Sequence, residues 1–371
     1  MNMWGLLMII LAVLSAAGIL YLASRIGRFW IIKRIAKEKR NICFLIGLII
    51  LIALSASIWL AWGYMNAIVC ILHLLVFWLL AEGIFTIIQK IRKKEFKRYY
   101  AGITAVVFMV CYLGAGWYCA HHVWQTSYEI HTDKSVGNLK VAVFSDSHVG
   151  ATFDGEGFAG HMKEIEAQSP DIILIVGDFV DDDTSKADMV RACRALGELK
   201  CTYGVYYTFG NHDKGYYPSD YRGYSGADLK ENLEKNNVHV MEDNVELIDN
   251  RFYIIGRADK SEEYGAGRKN MEELVKDLDP DKFSIVLDHQ PEDYASQADS
   301  GVDLVLSGHT HGGQLFPLMT VEKLTGMTPD DRIYGYEKRD STNFIVTSGI
   351  ADWAIKFKTG CKSEYLMINI Q

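Results

Sequence analysis

Four long apolar segments dominate the first third of the chain. They run from Met3 to Ala23, Ile42 to Trp62, Ala67 to Ile88 and Ala101 to Ala120. A helix of about 20 apolar residues is long enough to cross the ~30 Å hydrocarbon core of a bilayer. The pattern therefore predicts four transmembrane helices.

The rest of the chain has a different pattern, in which short apolar runs alternate with amphipathic stretches. From Leu139 onward the main runs are "LKVAVF", "DIILIV", "GVYYTF", "FSIVL" and "VDLVLS". Stretches such as "MVRACRALGEL" and "ADLKENLEKNN" lie between the earlier runs and are typical of helices. This alternation predicts an α/β fold with a buried sheet. Further runs after Val240 have shorter connections and predict a mixed sheet or a second sheet.

The loops between the apolar segments differ in charge. Seven Lys/Arg lie between the first and second segments and six between the third and fourth, whereas "GYMN" joins the second to the third. Because basic loops stay in the cytoplasm, we expect everything after the fourth segment to be extracytoplasmic. A cleaved signal peptide is the alternative for the first segment, but "MNMW" lacks the basic residues that usually precede one. The sequence thus predicts a multi-pass protein of the cell membrane.

The charge of the chain divides at the same place as its hydrophobicity. Residues 1–122 carry 13 Lys/Arg and three Glu, a net charge of +10, so the overall −8 leaves −18 for the remainder. Such an acidic segment repels phosphate backbones, and we expect no nucleic-acid partner. Outside the apolar segments only three cysteines occur, which allow at most one disulfide: Cys193, Cys201 and Cys361.

Each of the five main apolar runs ends in polar residues of one chemical kind. The runs lead into "SDSH", "GD", "GNHD", "DH" and "GHTH". In open α/β sheets, ligands bind beyond the carboxyl ends of the strands. If the backbone stays extended there, Asp146 and His148 point to one side, as do His309 and His311. The motifs therefore predict a single site at one edge of the sheet.

The ligand types in these motifs indicate a pair of metal ions. Carboxylate, amide oxygen and imidazole, without thiolate, suit Mn²⁺, Fe or Zn²⁺. The donors are too many for one ion, and two ions ~3.5–4 Å apart are suited to phosphoryl chemistry. We therefore expect two divalent ions and a phosphoester substrate.

In their order and spacing, these five motifs resemble those of the calcineurin-like metallophosphoesterase family. The stretches "GRADKS", "LDHQP" and "TSGIADW" resemble its bacterial membrane-associated branch, which includes phosphodiesterases and relatives of hydrolases of glycolipid precursors. The resemblance implies an α/β/β/α sandwich preceded by an all-α transmembrane domain. The expected organisation is four transmembrane helices over 1–122, a juxtamembrane connector over 123–138 and a metallophosphoesterase domain over 139–371.

The resemblance also implies a role for each motif residue. The first ion is expected to bind Asp146, His148 and His311; the second, Asn211, His289 and His309; Asp178 would bridge the two. His212 would face the substrate and protonate the leaving oxygen, with Asp213 orienting its ring. Candidates for further substrate contacts are Arg257, Lys260 and Lys358.

Three positions depart from the pattern of that branch. Ala351 and Ala354 stand where Gly is usual, and Lys358 stands where Arg is usual. Because these positions are near the expected substrate side, a relative's substrate does not transfer safely. The acidic run Asp181 to Asp183 has two candidate uses, leaning over the metals or capping the following helix, and we prefer capping.

The sequence as a whole predicts a membrane-bound two-metal phosphohydrolase. We expect a phosphodiesterase that acts on a lipid-linked or cell-envelope phosphoester by attack of a metal-activated water. One alternative is an enzyme for soluble nucleotides or phosphomonoesters, and another is a non-catalytic membrane receptor or scaffold. The sequence leaves the oligomeric state open.

Overall fold

The chain folds into two compact units in a computed structural model, which describes residues 3–265, 267–317, 320, 321, 326 and 328–371. The first unit comprises residues 1–117 and 354–356, and the second comprises residues 118–353 and 357–371. Residues 1 and 2 of the predicted transmembrane domain lie outside the described residues. So do residues 266, 318, 319, 322–325 and 327 of the predicted metallophosphoesterase domain.

Five helices form the apolar N-terminal part of the chain. They are α1 (Met3–Ile26), α2 (Trp30–Ile35), α3 (Arg40–Trp62), α4 (Tyr64–Arg92) and α5 (Tyr100–His121). All except the short α2 are long and apolar enough to cross a membrane. Their outward-facing side chains include exposed Leu60, Ile91 and Phe108, as expected of helices whose solvent is lipid.

The second unit contains twelve strands and five α-helices in its described residues, together with two short 3₁₀ helices, Lys260–Tyr264 and His311–Gly313. The strands are β1 (Val123–Ile130), β2 (Leu139–Phe144), β3 (Ile172–Val176), β4 (Val205–Thr208), β5 (Val238–Met241), β6 (Asn244–Ile248), β7 (Phe252–Gly256), β8 (Phe283–Leu287), β9 (Leu304–Ser307), β10 (Gly335–Arg339), β11 (Thr342–Val346) and β12 (Ser363–Ile370). The helices are α6 (Gly155–Glu166), α7 (Lys186–Gly197), α8 (Gly226–Lys235), α9 (Met271–Val275) and α10 (Tyr294–Asp299).

The strands form two six-stranded mixed sheets. Their orders are β1-β12-β2-β3-β4-β5 and β10-β11-β9-β8-β7-β6. In the first sheet β2, β3, β4 and β5 are parallel, and β12 runs antiparallel to β2. In the second sheet β7, β8, β9 and β11 are parallel, and the outer strands β6 and β10 are antiparallel to their neighbours.

Alternate residues of the central strands enter two different hydrophobic cores. In β2, Val141 and Val143 join the core shared by the two sheets, whereas Ala142 and Phe144 pack in the core that includes the helices α6 to α8. A third core packs the outer face of the second sheet with α9 and α10. Burial on both faces explains why these strands are continuously apolar. The predicted α/β/β/α sandwich, preceded by four long apolar helices, is confirmed.

Three strands have no counterpart in the sequence prediction: β1, β5 and β10. All three are edge strands. β1 lies inside the predicted connector 123–138 and pairs in parallel with β12 over all eight of its residues. Its side chains are mostly half-buried or exposed, so its backbone ladder stabilises it without a continuous apolar run. The pattern of burial therefore identifies central strands better than edges.

Candidate metal centre

Five parallel strands deliver the polar motifs to one place. β2, β3 and β4 are neighbours in the first sheet and end at Phe144, Val176 and Thr208. β8 and β9 are neighbours in the second sheet and end at Leu287 and Ser307. The "DSH", "GD" and "GNHD" motifs follow the first three strands, and "DH" and "GHTH" follow the other two. Both sheets thus contribute to a single site.

Three of the predicted ligands form one cluster. Asp146, His148 and His311 are buried, and each offers a ligand atom within 4.8 Å of the other two. His311 Nε2 lies 3.6 Å from Asp146 Oδ1, and the His148 and His311 rings stack at 5.1 Å between centroids. We refer to these residues as the first donor group.

A second cluster contains Asp178, His289 and His309. Their ligand atoms also lie within 4.8 Å of one another. Asn211 belongs here as well, because its Oδ1 lies 2.9 Å from His309 Nδ1. We refer to these four residues as the second donor group.

Asp178 lies between the two donor groups. Its Oδ2 is 3.1 Å from His289 Nε2 in the second group and 3.7 Å from His148 Nε2 in the first. Separate ions in the two groups would both be close to this carboxylate. The structure thus brings all seven predicted ligands together in the arrangement expected of a bridged pair.

The backbone at the site is not extended. The metal-ligand side chains therefore do not converge by the alternation of an extended chain, as the sequence analysis expected. Asp146, His148, Asp178, His309 and His311 all have positive φ, from 34° to 69°. For non-glycine residues this left-handed region is uncommon and concentrated at functional sites. His309 and His311 also enter different donor groups. The expectation that an extended chain points both histidines the same way is therefore wrong.

Two glycines allow the backbone to approach the ligands closely. A Cβ at Gly177, where φ is 73°, would lie 2.5 Å from His289 Nδ1. A Cβ at Gly210 would overlap the side chain and backbone N of Asp178. These positions therefore need glycine for packing, and Gly177 needs it for conformation too.

The donor set fits divalent metal ions. His289 Nδ1 lies 2.8 Å from the Val176 carbonyl oxygen, which leaves Nε2 directed at Asp178. The buried Nε2 atoms of His148 and His289 face the Asp178 carboxylate without meeting the geometric criteria of a hydrogen bond to it. Unpaired buried imidazole nitrogens beside carboxylates are costly unless they bind a cation. Nitrogen and oxygen donors of this kind suit Mn²⁺, Fe or Zn²⁺.

His212 lies beside both donor groups without belonging to either. Its ring centroid is 5.2 Å from that of His148 and 5.1 Å from that of Trp353. Its backbone N–H donates to Asp178 Oδ1 at 2.9 Å, which fixes the peptide that carries the ring. The imidazole is therefore held next to the site while its ring remains outside the donor groups.

Asp213 does not have its expected role of orienting the His212 ring. Its carboxylate accepts the backbone N–H groups of Asp178, Phe179, Val180 and Gly210 at 2.7–3.0 Å. Burial and the charge of Asp178 raise the pKa of Asp213 to about 6. Because all four bonds go to backbone, Asp213 holds the loop that carries Asp178 and does not orient the His212 ring. Adjacency in "GNHD" suggested the ring, but the fold turns the carboxylate toward the loop.

Asp181 is a site residue, although the sequence interpretation preferred helix capping for it. It is buried, and its Oδ2 lies 3.3 Å from His148 Nδ1. Burial alone would raise the pKa of Asp181, but its contact with His148 holds that pKa below the usual value. The carboxylate therefore stays charged and orients the His148 ring, as partners of metal-binding histidines commonly do. Helix α7 is capped by Ser185 instead.

The three candidate substrate residues have intramolecular partners. The buried Arg257 guanidinium pairs with Asp288 at 2.8 Å and Asp293 at 2.9 Å. Lys260 pairs with Glu263 at 2.8 Å and Asp293 at 3.3 Å. Lys358 is fully buried and donates to the carbonyl oxygens of Ser348 and Gly349. These contacts show that the Arg257 and Lys358 side chains have structural roles.

Comparison with known proteins identifies the second unit. The sequence profile described as calcineurin-like phosphoesterase matches residues 139–313. An uncharacterized metallophosphoesterase of Campylobacter jejuni is 29% identical over 242 residues, which cover 63% of this chain and 59% of that protein. A Bos taurus transmembrane protein with metallophosphoesterase domain is 29% identical over 252 residues, 64% of this chain and 54% of that protein. This chain thus spans little more than half the length of these two relatives.

A further relative covers more of its own length. An uncharacterized metallophosphoesterase of Bacillus subtilis is 30% identical over 208 residues, which cover 53% of this chain and 71% of that protein. The four long apolar helices and the transmembrane bovine relative indicate that this chain is associated with a membrane. The motifs, the profile match and the shared identity agree with one another. The chain belongs to the calcineurin-like phosphoesterase family.

Proposed function

We propose that this protein is a two-metal phosphohydrolase. The observation that carries the proposal is the position of Asp178 Oδ2, which is 3.1 Å from His289 Nε2 and 3.7 Å from His148 Nε2. One carboxylate thus serves two donor groups, as a bridging ligand must. In this proposal the ions are Mn²⁺, Fe or Zn²⁺, with Asp146, His148 and His311 at the first, Asn211, His289 and His309 at the second, and Asp178 at both.

The protein's own groups would contribute positioning and a proton. When bound, two divalent ions activate water and neutralise charge on phosphoryl oxygens. His212 is next to both donor groups and outside them, so it would donate a proton to the leaving oxygen. A positioned general acid accelerates such a step roughly 10²- to 10⁴-fold. Asp181 would keep the His148 ring oriented toward the first ion.

The membrane association supports a substrate from the membrane or cell envelope. We propose that the substrate is a lipid-linked phosphodiester. The domain that hydrolyses it would lie outside the cytoplasm and be anchored by the four transmembrane helices. The basic loops between the first and second segments and between the third and fourth segments support that orientation. A reporter fused after Gln371 should be active outside the cytoplasm, and activity only inside it would contradict the orientation.

Hydrolysis by the full chain tests the proposed reaction. Purified protein in detergent would be given a chromogenic phosphodiester and the matching monoester, with and without Mn²⁺. We expect Mn²⁺-dependent turnover with preference for the diester, and its loss in Asp178→Asn. Preference for the monoester would favour soluble phosphomonoesters. Absence of turnover across several metals, with both ions bound, would favour either a highly selective lipid hydrolase or a receptor or scaffold.

His212→Ala separates catalysis from metal binding. Because the His212 ring lies outside both donor groups, this variant should keep two ions and lose most turnover. Loss of metal in the variant would show that His212 is a ligand instead. Thermal unfolding checks that the variant remains folded.

A further inference from the structure

Two aromatic side chains contact the ring of His212 and remain open to solvent. The Tyr216 centroid lies 5.0 Å from that of His212, and the Trp353 centroid lies 5.1 Å away. Tyr216 is 61% exposed and Trp353 is 38% exposed. Tyr216 thus leaves most of its surface exposed and Trp353 more than a third of its surface, so both rings are accessible beside His212.

Both residues are held in place while their rings stay accessible. The Tyr216 hydroxyl accepts from Asn211 Nδ2 at 2.6 Å, and its backbone N–H donates to Asp182 Oδ2 at 3.0 Å. The Trp353 carbonyl accepts from Gln314 Nε2 at 3.2 Å, and the Trp353 ring packs against the rings of His212 and His148, with centroids 5.1 and 6.4 Å away. Fixed rings bind with a smaller loss of conformational entropy than mobile ones. The arrangement is therefore suited to binding.

The position of these rings specifies which part of a substrate they would meet. In the proposed function His212 gives a proton to the leaving oxygen, so the group attached to that oxygen lies beside the His212 ring. Tyr216 and Trp353 are therefore the side chains next to that group. Their aromatic faces attract apolar or aromatic groups by stacking and hydrophobic contact.

The charges nearby disfavour a second anionic group. Asp182 accepts the backbone N–H groups of both Tyr216 and Tyr217, and the exposed Asp183 accepts from the Tyr221 hydroxyl at 3.4 Å. These carboxylates repel a polyphosphate or a second phosphate. The guanidinium of Arg222 lies near Asp182, but it is buried and donates to the carbonyl oxygens of Asp181, Asp213 and Tyr224. An uncharged, apolar group meets no such repulsion.

We propose that Tyr216 and Trp353 form a subsite for the ester group of the substrate, and that this group is apolar or aromatic. The inference rests on the proposed function and narrows its substrate class. Its sources include an acyl chain and an aromatic ring, which share the chemistry that the two side chains recognise. The subsite selects between phosphoesters by the group that leaves.

Equilibrium binding of phosphonates tests the subsite without requiring turnover. The Mn²⁺-loaded full chain would be titrated with methylphosphonate, phenylphosphonate and hexylphosphonate. Stacking on one aromatic side chain is worth roughly a factor of ten or more in affinity. We expect phenylphosphonate or hexylphosphonate to bind at least about tenfold more tightly than methylphosphonate. Tighter binding of hexylphosphonate than of phenylphosphonate would indicate an acyl chain in the substrate. Tighter binding of phenylphosphonate would indicate an aromatic ring.

Variants assign the preference to the subsite. Trp353→Ala should reduce the preference for the larger phosphonates over methylphosphonate roughly fivefold or more. Trp353→Phe should retain most of this preference. Tyr217→Ala is the matched control, because Tyr217 is also 61% exposed but its ring contacts Tyr221 at 5.2 Å. Binding of methylphosphonate, which needs only the metal centre, checks that each variant is intact.

The outcomes separate this inference from the proposed function. Equal affinities for the three phosphonates, or a preference that survives Trp353→Ala, overturn the subsite even if esters are hydrolysed. A Trp353-dependent preference in a protein that hydrolyses no ester supports the subsite and contradicts the proposed reaction.

Discussion

Replacing Asp213 by Asn should disable the metal centre through the backbone. One carboxylate oxygen of Asp213 accepts from Phe179 and Val180, and the other accepts from Asp178 and Gly210. An amide keeps only one acceptor oxygen. Whichever oxygen becomes the NH₂ group, two backbone donors lose their acceptor at a fully buried position.

The expected cost follows from those two donors. A buried donor left without a partner costs about 1–3 kcal/mol, so the substitution should lower the free energy of unfolding by about 2–6 kcal/mol. Relief of the repulsion between Asp213 and Asp178 favours the lower part of that range. Because the affected loop carries Asp178, both donor groups should lose metal affinity.

Metal content and thermal unfolding together test this reasoning. Measurements at pH 8 keep wild-type Asp213 ionised, since its pKa is about 6. We expect Asp213→Asn to unfold at a lower temperature and to retain less than two ions per chain after dialysis. His212→Ala is the comparison and should keep both ions. An Asp213→Asn variant with two ions, wild-type stability and the slow turnover of His212→Ala would show that Asp213 acts through the His212 ring after all.

Three further substitutions have separable outcomes. Asp181→Asn weakens the orientation of His148 and should lower metal affinity roughly 10- to 100-fold in a Mn²⁺ titration. Tyr216→Phe removes the hydroxyl that holds Asn211 and should weaken only one of the two Mn²⁺-binding steps, that of the second donor group, by a similar factor. Arg257→Met leaves the buried Asp288 and the partly exposed Asp293 with fewer partners and should cost about 3 kcal/mol, seen as a thermal midpoint lower by roughly 6–12 °C.

Neighbouring residues supply the controls for these substitutions. Asp183→Asn changes an exposed carboxylate in the same run as Asp181, and Tyr217→Phe changes the tyrosine next to Tyr216. Both should bind Mn²⁺ as the wild type does. A control that weakens metal binding as much as its partner contradicts the specific contact. If Arg257→Met unfolds at the wild-type temperature but has a raised KM, Arg257 binds substrate.

The central strands and the ligand positions could be predicted from sequence because their chemistry is continuous along the chain. β2 and β8 coincide with the runs "LKVAVF" and "FSIVL", since strands buried on both faces must be apolar throughout. The motifs that follow them are short and local, so their residue types indicate metal binding before any fold is known. Edge strands such as β1 lack that signal because most of their side chains are half-buried or exposed.

Contacts that depend on tertiary direction could not be predicted in this way. Asp213 is adjacent to His212 in sequence, but its carboxylate binds a loop some 35 residues away. Asp181 contacts His148, which lies on another strand end. From the sequence, Lys358 is a candidate cation for substrate binding, but its side chain is buried and donates to two carbonyl oxygens. In each case residue type was clear and side-chain direction was not.

The most direct test of the account is whether two metal ions share Asp178. The electron paramagnetic resonance spectrum of the full chain loaded with two equivalents of Mn²⁺ reports whether the ions are close enough to couple. We predict the spectrum of a coupled pair ~3.5–4 Å apart in the wild type, and its loss in Asp178→Ala. Two uncoupled Mn²⁺ signals, or a stoichiometry of one ion per chain in the folded wild type, would contradict the bridged centre and the hydrolase proposed from it.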